Sequence, residues 1–198
     1  VLVVVLRLFF FLPFRVMTSA QSPDLRLGAW ALARRSHSPK HSDIVLFRLP
    51  SPRGRTPESL HLGRIVALPG DSIELRAGRL VVNEEEVHDY RHEINPSESY
   101  ALRLPREGGV YPITSTNLVA YRSALLEEQK LYPSAPDEVA LEGTDPKHWL
   151  KALAKNPYHT FRRDYYWVLT DQTQSAPDSR HLGILPADAI LGIVLFSL

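Results

Sequence analysis

Enzyme chemistry without a bound group must come from nucleophiles and titratable side chains, and here the choice is narrow. None of the 198 residues is a cysteine, which removes thiolate catalysis, disulfides and cysteine-ligated zinc. Eight histidines are present, and neither a metal nor a cofactor is expected. What remains is hydroxyl, carboxylate and imidazole chemistry. A serine hydroxyl is a weak nucleophile at neutral pH and needs a base within hydrogen-bonding reach. Asp178-Ser179-Arg180 sets an acid and a guanidinium two residues apart. On an extended segment they share a face, where a buried ion pair that shapes a site is the expected role. Asp71, directly after Pro69-Gly70, reads as a turn residue whose carboxylate satisfies backbone donors.

The elements that must position these groups read mainly as strands. Hydrophobic residues make up 44% of the chain and charged residues 23%, the balance of an ordinary globular protein of one domain with an insertion. A formal charge of +1 leaves no basic surplus to neutralise phosphates, which argues against a nucleic-acid partner. Sixteen prolines beside ten glycines favour strands and loops over long helices. Asp43–Phe47 and Gly63–Leu68 are compact apolar runs, the second stopped by Pro69-Gly70. Ser72–Arg76 alternates, Ala77-Gly78 turns, and Arg79–Asn83 continues, the pattern of a hairpin. Tyr165–Leu169 and Ala189–Phe196 return to strand chemistry near the C-terminus.

Between these halves, residues 89–160 read as an exposed insertion of Pro-rich loops with one helix, Asn117–Glu127. Its stripe Leu118, Tyr121 and Leu125 is expected to pack on a core, and its charges to form mostly a solvated face. Val1–Phe14 is an apolar run interrupted only by Arg7, shorter than the ~20 residues that span a bilayer. No basic segment precedes it and no small-residue cleavage site follows it, so it reads as the end of a membrane anchor. The expected organisation is an anchor segment at 1–14, a β-domain from 15–88 and 161–198, and the insertion at 89–160 between them.

Three stretches, in order, resemble the type I signal peptidase family. Gly63-Arg64-Ile65-Val66-Ala67-Leu68-Pro69-Gly70-Asp71, continuing to Val87, is similar to the strand and turn that follow the family's general base. Asp178-Ser179-Arg180-His181-Leu182-Gly183, with Pro186 and Gly192, is similar to its late Asp-Ser-Arg box. Met17–Gly28 occupies the place of the nucleophile segment, with Pro23, Leu25 and Gly28 fixing the register. The resemblance implies a mainly β fold of two antiparallel layers, an α-containing insertion and an N-terminal membrane-anchor helix. It also implies a serine nucleophile activated by a lysine that burial keeps neutral.

This chain departs from that pattern at the decisive positions. In the implied register Thr18 falls on the oxyanion hydroxyl, Ser19 on a glycine, Ala20 on the nucleophile and Gln21 on a methionine. Gly63 stands where the lysine would be, and Ala176 where a serine would support it. Thr170-Asp171-Gln172 replaces Gly-Asp-Asn. With Thr18 and Ala20 as oxyanion-like positions and Asp171, Asp178, Ser179 and Arg180 shaping the site, the expectation is a fold without its dyad. The alternative is a serine endopeptidase using a displaced pair, Ser22 and His61, each two residues from the lost position on segments that would have to run antiparallel. The resemblance implies signal peptides or exported precursors as partners, with an active signal peptidase and membrane lipid as others. It also implies a place in the inner membrane, with the body on the extracytoplasmic side.

Overall fold

The computed structural model describes residues 10–36, 38–49, 59–87, 99–133, 149, 151, 154, 156–172 and 176–197. Seven antiparallel strands form the larger sheet: β1 (Phe11–Arg15), β2 (Trp30–Arg34), β3 (Ile44–Leu49), β4 (Ser59–Ala67), β11 (Tyr165–Leu169), β12 (Leu185–Pro186) and β13 (Ile190–Ser197). Their order is β1-β2-β13-β3-β4-β11-β12, so the C-terminal strand lies between two N-terminal ones. A four-stranded sheet follows in the order β7 (Glu85–Glu86), β6 (Arg79–Val82), β5 (Ser72–Arg76) and β8 (Tyr100–Arg103). β9 (Val110–Pro112) and β10 (Tyr158–Thr160) make a separate antiparallel pair. The protein is mainly β, with antiparallel sheets and few helices.

The hairpin expected at Ala77-Gly78 forms with both turn residues at positive φ, 50° and 76°, as a tight turn between right-twisted strands requires. Ser72–Arg76 buries Ile73 and Leu75 and exposes the residues between them, the period of a half-buried strand. β11 differs. Tyr165, Trp167 and Leu169 enter one core with Ile73, Leu80, Leu102 and the helix. Tyr166 and Val168 enter another with Val45, Phe47, Ile65 and Ile190. Burial on both faces is why Tyr-Tyr-Trp-Val-Leu reads as one apolar run without alternation. β4 and β11 pair directly, so the segments on either side of residues 89–160 share one sheet.

Helix α1 (Leu118–Leu131) buries Leu118, Tyr121 and Leu125 in the first core, and the Tyr121 hydroxyl donates to the Arg103 carbonyl. One charge of the segment does not face solvent. Glu128 is 1% exposed and accepts from the Tyr165 hydroxyl at 2.8 Å, from the Arg162 backbone N–H at 3.1 Å, and pairs with His159 Nε2 at 3.0 Å. A carboxylate can be buried there because both its oxygens have donors.

The N-terminal run corrects an expectation. Residues 1–9 lie outside the described ones, but Phe11–Phe14 are strand, not helix, pairing with Ala31–Arg34. The partner strand Trp30–Arg34 supplies what a projecting helix would have lacked, and Leu12 and Phe14 pack on Val16, Leu25, Leu46 and Leu62. Pro13 is tolerated because β1 is the sheet edge. Among the described residues no helix is long and apolar enough to cross a membrane.

Candidate functional site

The loop from Val16 to Ala29 leaves β1 and returns into β2, closed at its base by backbone bonds from Val16 N to Ala29 O (2.9 Å) and from Gly28 N to Val16 O (2.7 Å). Gly28 holds a φ of +86°, which favours glycine. Inside the loop the chain folds tightly: Ser22 N donates to Ser19 O and Leu25 N to Gln21 O. Ala20 is fully buried, and its carbonyl accepts from Gln172 N at 3.0 Å. Its own N–H donates to Thr18 Oγ1 at 3.1 Å. In this conformation the two oxyanion-like groups are bonded to each other, not directed together at an outside atom. The side chain of Gln21 is also fully buried, and neither its amide nitrogen nor its oxygen has a hydrogen-bond partner among the described residues.

Gly63 lies in β4 opposite Val45 of β3. A Cβ built there would come within 2.3 Å of Val168 Cγ1, 3.3 Å of Phe47 Cε1 and 3.4 Å of the Leu169 carbonyl. The direction that any side chain at this position must take is therefore filled by the Val168 side chain of the neighbouring strand. His61, two residues earlier, pairs with Phe47 across the sheet and stacks on its ring at 5.6 Å. Burial lowers its pKa, which keeps the imidazole neutral near neutrality. Ser22 lies in the folded turn and not on a strand facing β4, and no hydrogen bond joins Ser22 to His61 among the described residues.

Arg64 is the centre of the constellation. Its Nε donates to Asp171 Oδ1 at 3.0 Å and Nη2 to Asp171 Oδ2 at 2.7 Å, a bidentate fork. Nη2 also reaches Asp24 Oδ2 at 2.6 Å, and Nη1 donates to the Ser42 carbonyl at 3.0 Å. The hydrogen bonds it donates to Asp171, opposed in part by burial, raise the guanidinium pKa further above its ordinary value. One side chain thus ties the Val16–Ala29 loop to β4 and to the loop after β11.

Asp178 is fully buried. Burial alone would raise its pKa, but bonds from Arg180 and Thr170 outweigh that and hold the carboxyl below the ordinary carboxylate range. Oδ2 accepts from Thr170 N and Oγ1, both at 3.1 Å, and pairs with Arg180 Nη2; Oδ1 accepts from Arg180 Nε at 2.9 Å. The pair does not sit on an extended segment. Asp178 caps the short helix α2 (Ser179–Leu182) by accepting from Arg180 N, because a carboxylate at that position satisfies an otherwise orphaned helical donor. Ser179 Oγ accepts from Val168 N at 2.9 Å, which fixes the strand that fills the Gly63 niche. Ala176 is half-buried just before this turn. Asp71 accepts from Leu68 N at 2.8 Å and Asn83 Nδ2 at 2.7 Å and pairs with His41 Nε2 at 2.7 Å, all at the far end of β4.

Thr18, Ala20, Arg64, Asp171, Asp178, Ser179 and Arg180 therefore form one linked group, in which the described carboxylates are engaged by guanidinium and backbone donors. Asp24, Gln172 and Val168 belong to it as well, though their sequence neighbourhoods give no such role. A charged side chain within the apolar run Gly63–Leu68 was the available signal for Arg64.

An antiparallel β-protein whose N-terminal loop, central strand and late Asp-Ser-Arg turn converge on one point is the class defined so far. The family described as signal peptidase, peptidase S26, matches residues 1–198, and the chain belongs to it. Signal peptidase I of Buchnera aphidicola subsp. Baizongia pistaciae (strain Bp) is 22% identical over 228 residues, an alignment covering 99% of this chain and 72% of that protein. Signal peptidase I of Pseudomonas fluorescens is 23% identical over 218 residues, covering 96% of this chain and 66% of that protein. The chain thus spans only about two thirds of the second relative's length. A crystal structure of a signal peptidase I from Enterococcus faecalis V583 aligns at a TM-score of 0.38 and 21% identity, over 80% of this chain and 97% of that one, too low a score to carry an argument.

Proposed function

We propose that this chain is a non-catalytic member of the signal peptidase family that binds signal peptides of exported precursors, or pairs with an active signal peptidase. The observation that carries the reading is the packing at position 63: glycine supplies no base, and Val168 occupies the space a base would need. Ala20 supplies no nucleophile. Extended-peptide binding relies on main-chain hydrogen bonds and survives the loss of a dyad. The reading includes an inner-membrane location with the body on the extracytoplasmic side and membrane lipid as a contact. Supporting it, Met17, Leu27 and Trp30 are 78%, 66% and 60% exposed around the base of one loop, and exposed apolar side chains there suit a lipid interface.

The test is incubation of the purified chain with a precursor ending in an Ala-x-Ala site, with binding of a fluorescent signal peptide measured in parallel. The expected result is saturable binding without cleavage, since loss of a catalytic unit removes about 10⁴–10⁶ in rate. Specific cleavage by the unaltered chain overturns the proposal. The displaced-pair alternative draws on the neutral His61 imidazole, which could accept a proton. It gains standing only if Ser22→Ala and His61→Ala each abolish such cleavage.

A further inference from the structure

Away from this site, two arginines share one open cavity that the reading above does not use. Arg103 ends β8, and Arg106 follows after Leu104-Pro105. Arg103 Nε donates to the Gly70 carbonyl at 3.1 Å, and Arg106 Nη2 to the Pro69 carbonyl at 2.9 Å. A Cβ at Gly70 would meet Arg106 Nη2 at 2.5 Å, so glycine at this turn, with φ +93°, is what lets the guanidinium lie against it. The two side chains are thus seated by the Pro69-Gly70 turn and line a cavity of about 510 Å³ with Glu107, Val110 and Tyr111 among its walls. Tyr111 supports the seat, its hydroxyl accepting from Arg106 N at 3.0 Å.

Each guanidinium has five N–H donors and spends one on a carbonyl, and neither forms an ion pair with a carboxylate among the described residues. Among the described residues Glu107 is the only carboxylate lining the cavity, and the charge they give it is positive. Two fixed guanidiniums against one open space match the geometry and charge of a phosphate, with three or four acceptor oxygens, better than a singly charged carboxylate. We propose that this cavity is a phosphate-binding site, held by Arg103 and Arg106 and tempered by Glu107. A soluble phosphate monoester and a phospholipid headgroup present the same chemistry to it.

The test follows the arginine Nε–H resonances of the intact chain by NMR during titration with inorganic phosphate at constant ionic strength, with acetate as comparator. Saturable shifts at Arg103 and Arg106 are expected with phosphate and not with acetate. Arg103→Gln and Arg106→Gln should each weaken binding at least tenfold, while Glu107→Gln should tighten it several-fold. The last substitution keeps the test independent of any fold disturbance from losing an arginine. Non-saturable shifts, or an affinity unmoved by all three changes, overturn the proposal. Co-sedimentation with phosphatidylcholine vesicles, with and without phosphatidic acid, identifies the source. Binding to the acidic vesicles that inorganic phosphate competes away assigns a headgroup, and phosphate binding with no such vesicle binding assigns a soluble monoester.

Discussion

Gly63→Ala is the smallest change that asks whether position 63 is sealed. The new methyl carbon would lie 2.3 Å from Val168 Cγ1, about 1.2 Å inside the ~3.5 Å at which carbon atoms rest in contact. Val168 is 1% exposed, and Ser179 Oγ and the pairing with Ile65 hold its strand, so it has little freedom to withdraw. A clash this deep falls in the upper part of the range for overpacking, about 2–3 kcal/mol, and replacing a strand glycine returns ~0.5–1 kcal/mol of chain entropy. The net expectation is a loss of about 1–2.5 kcal/mol, seen as a fall of roughly 2–10 °C in Tm for a chain of this size. Val168→Ala alone leaves a void and also destabilises. Made together, the two changes fill each other's error, and the double variant should exceed the additive expectation by about 1–3 kcal/mol. Urea or thermal unfolding of the four proteins of the cycle provides the measurement. An unchanged Gly63→Ala, or coupling below ~0.5 kcal/mol, refutes the view that Val168 closes the site.

The buried amide of Gln21, without a partner among the described residues, predicts that Gln21→Met stabilises the chain by about 1–3 kcal/mol, read as a higher urea midpoint; a lower midpoint would mean the amide is satisfied. Asp171→Asn should cost about 3 kcal/mol, the low end for breaking a buried pair because Asp24 still holds Arg64, and equal stability would count against the clamp. Asp178 has a lowered pKa in the fold, so its contribution is full above the unfolded value of about 3.9 and is lost as pH falls through the lower folded value. Thermal melts across that acid range should lose stability more steeply in the native chain than in Asp178→Asn.

Much of the scaffold was legible because strand burial leaves a period. Ile73, Leu75, Leu80 and Val82 alternate around a turn that only Ala77-Gly78 could make, and the hairpin follows. The Phe11–Phe14 run was misread as helix because apolar content does not distinguish a buried strand from an anchor. The deciding fact, a partner at Ala31–Arg34, lies 17 to 23 residues downstream of its pairs. Glu128 was hidden for a similar reason: its donors, His159 and Tyr165, are 31 and 37 residues away. The Arg64 fork spans 40 residues to Asp24 and 107 to Asp171, separations at which no local pattern operates. A resemblance located Ala20, Gly63 and Asp171, but only packing reveals that Val168 fills the gap.

The position of β13 between β2 and β3 has a consequence for the growing polypeptide. Leaving the ribosome N-terminal end first, the chain can form the β1–β2 hairpin and the β3–β4 pair early, yet the strand that joins them is residues 190–197, more than 120 residues after β4. Until then the loop bearing Ala20 hangs on a detached ribbon, and the bond from Gln172 awaits the late segment too. The candidate site therefore assembles only after residues 190–197 have emerged. Truncation within the final strand should leave a peptide-bound hairpin that has no sheet to join, an aggregation-prone species carrying two open strand edges.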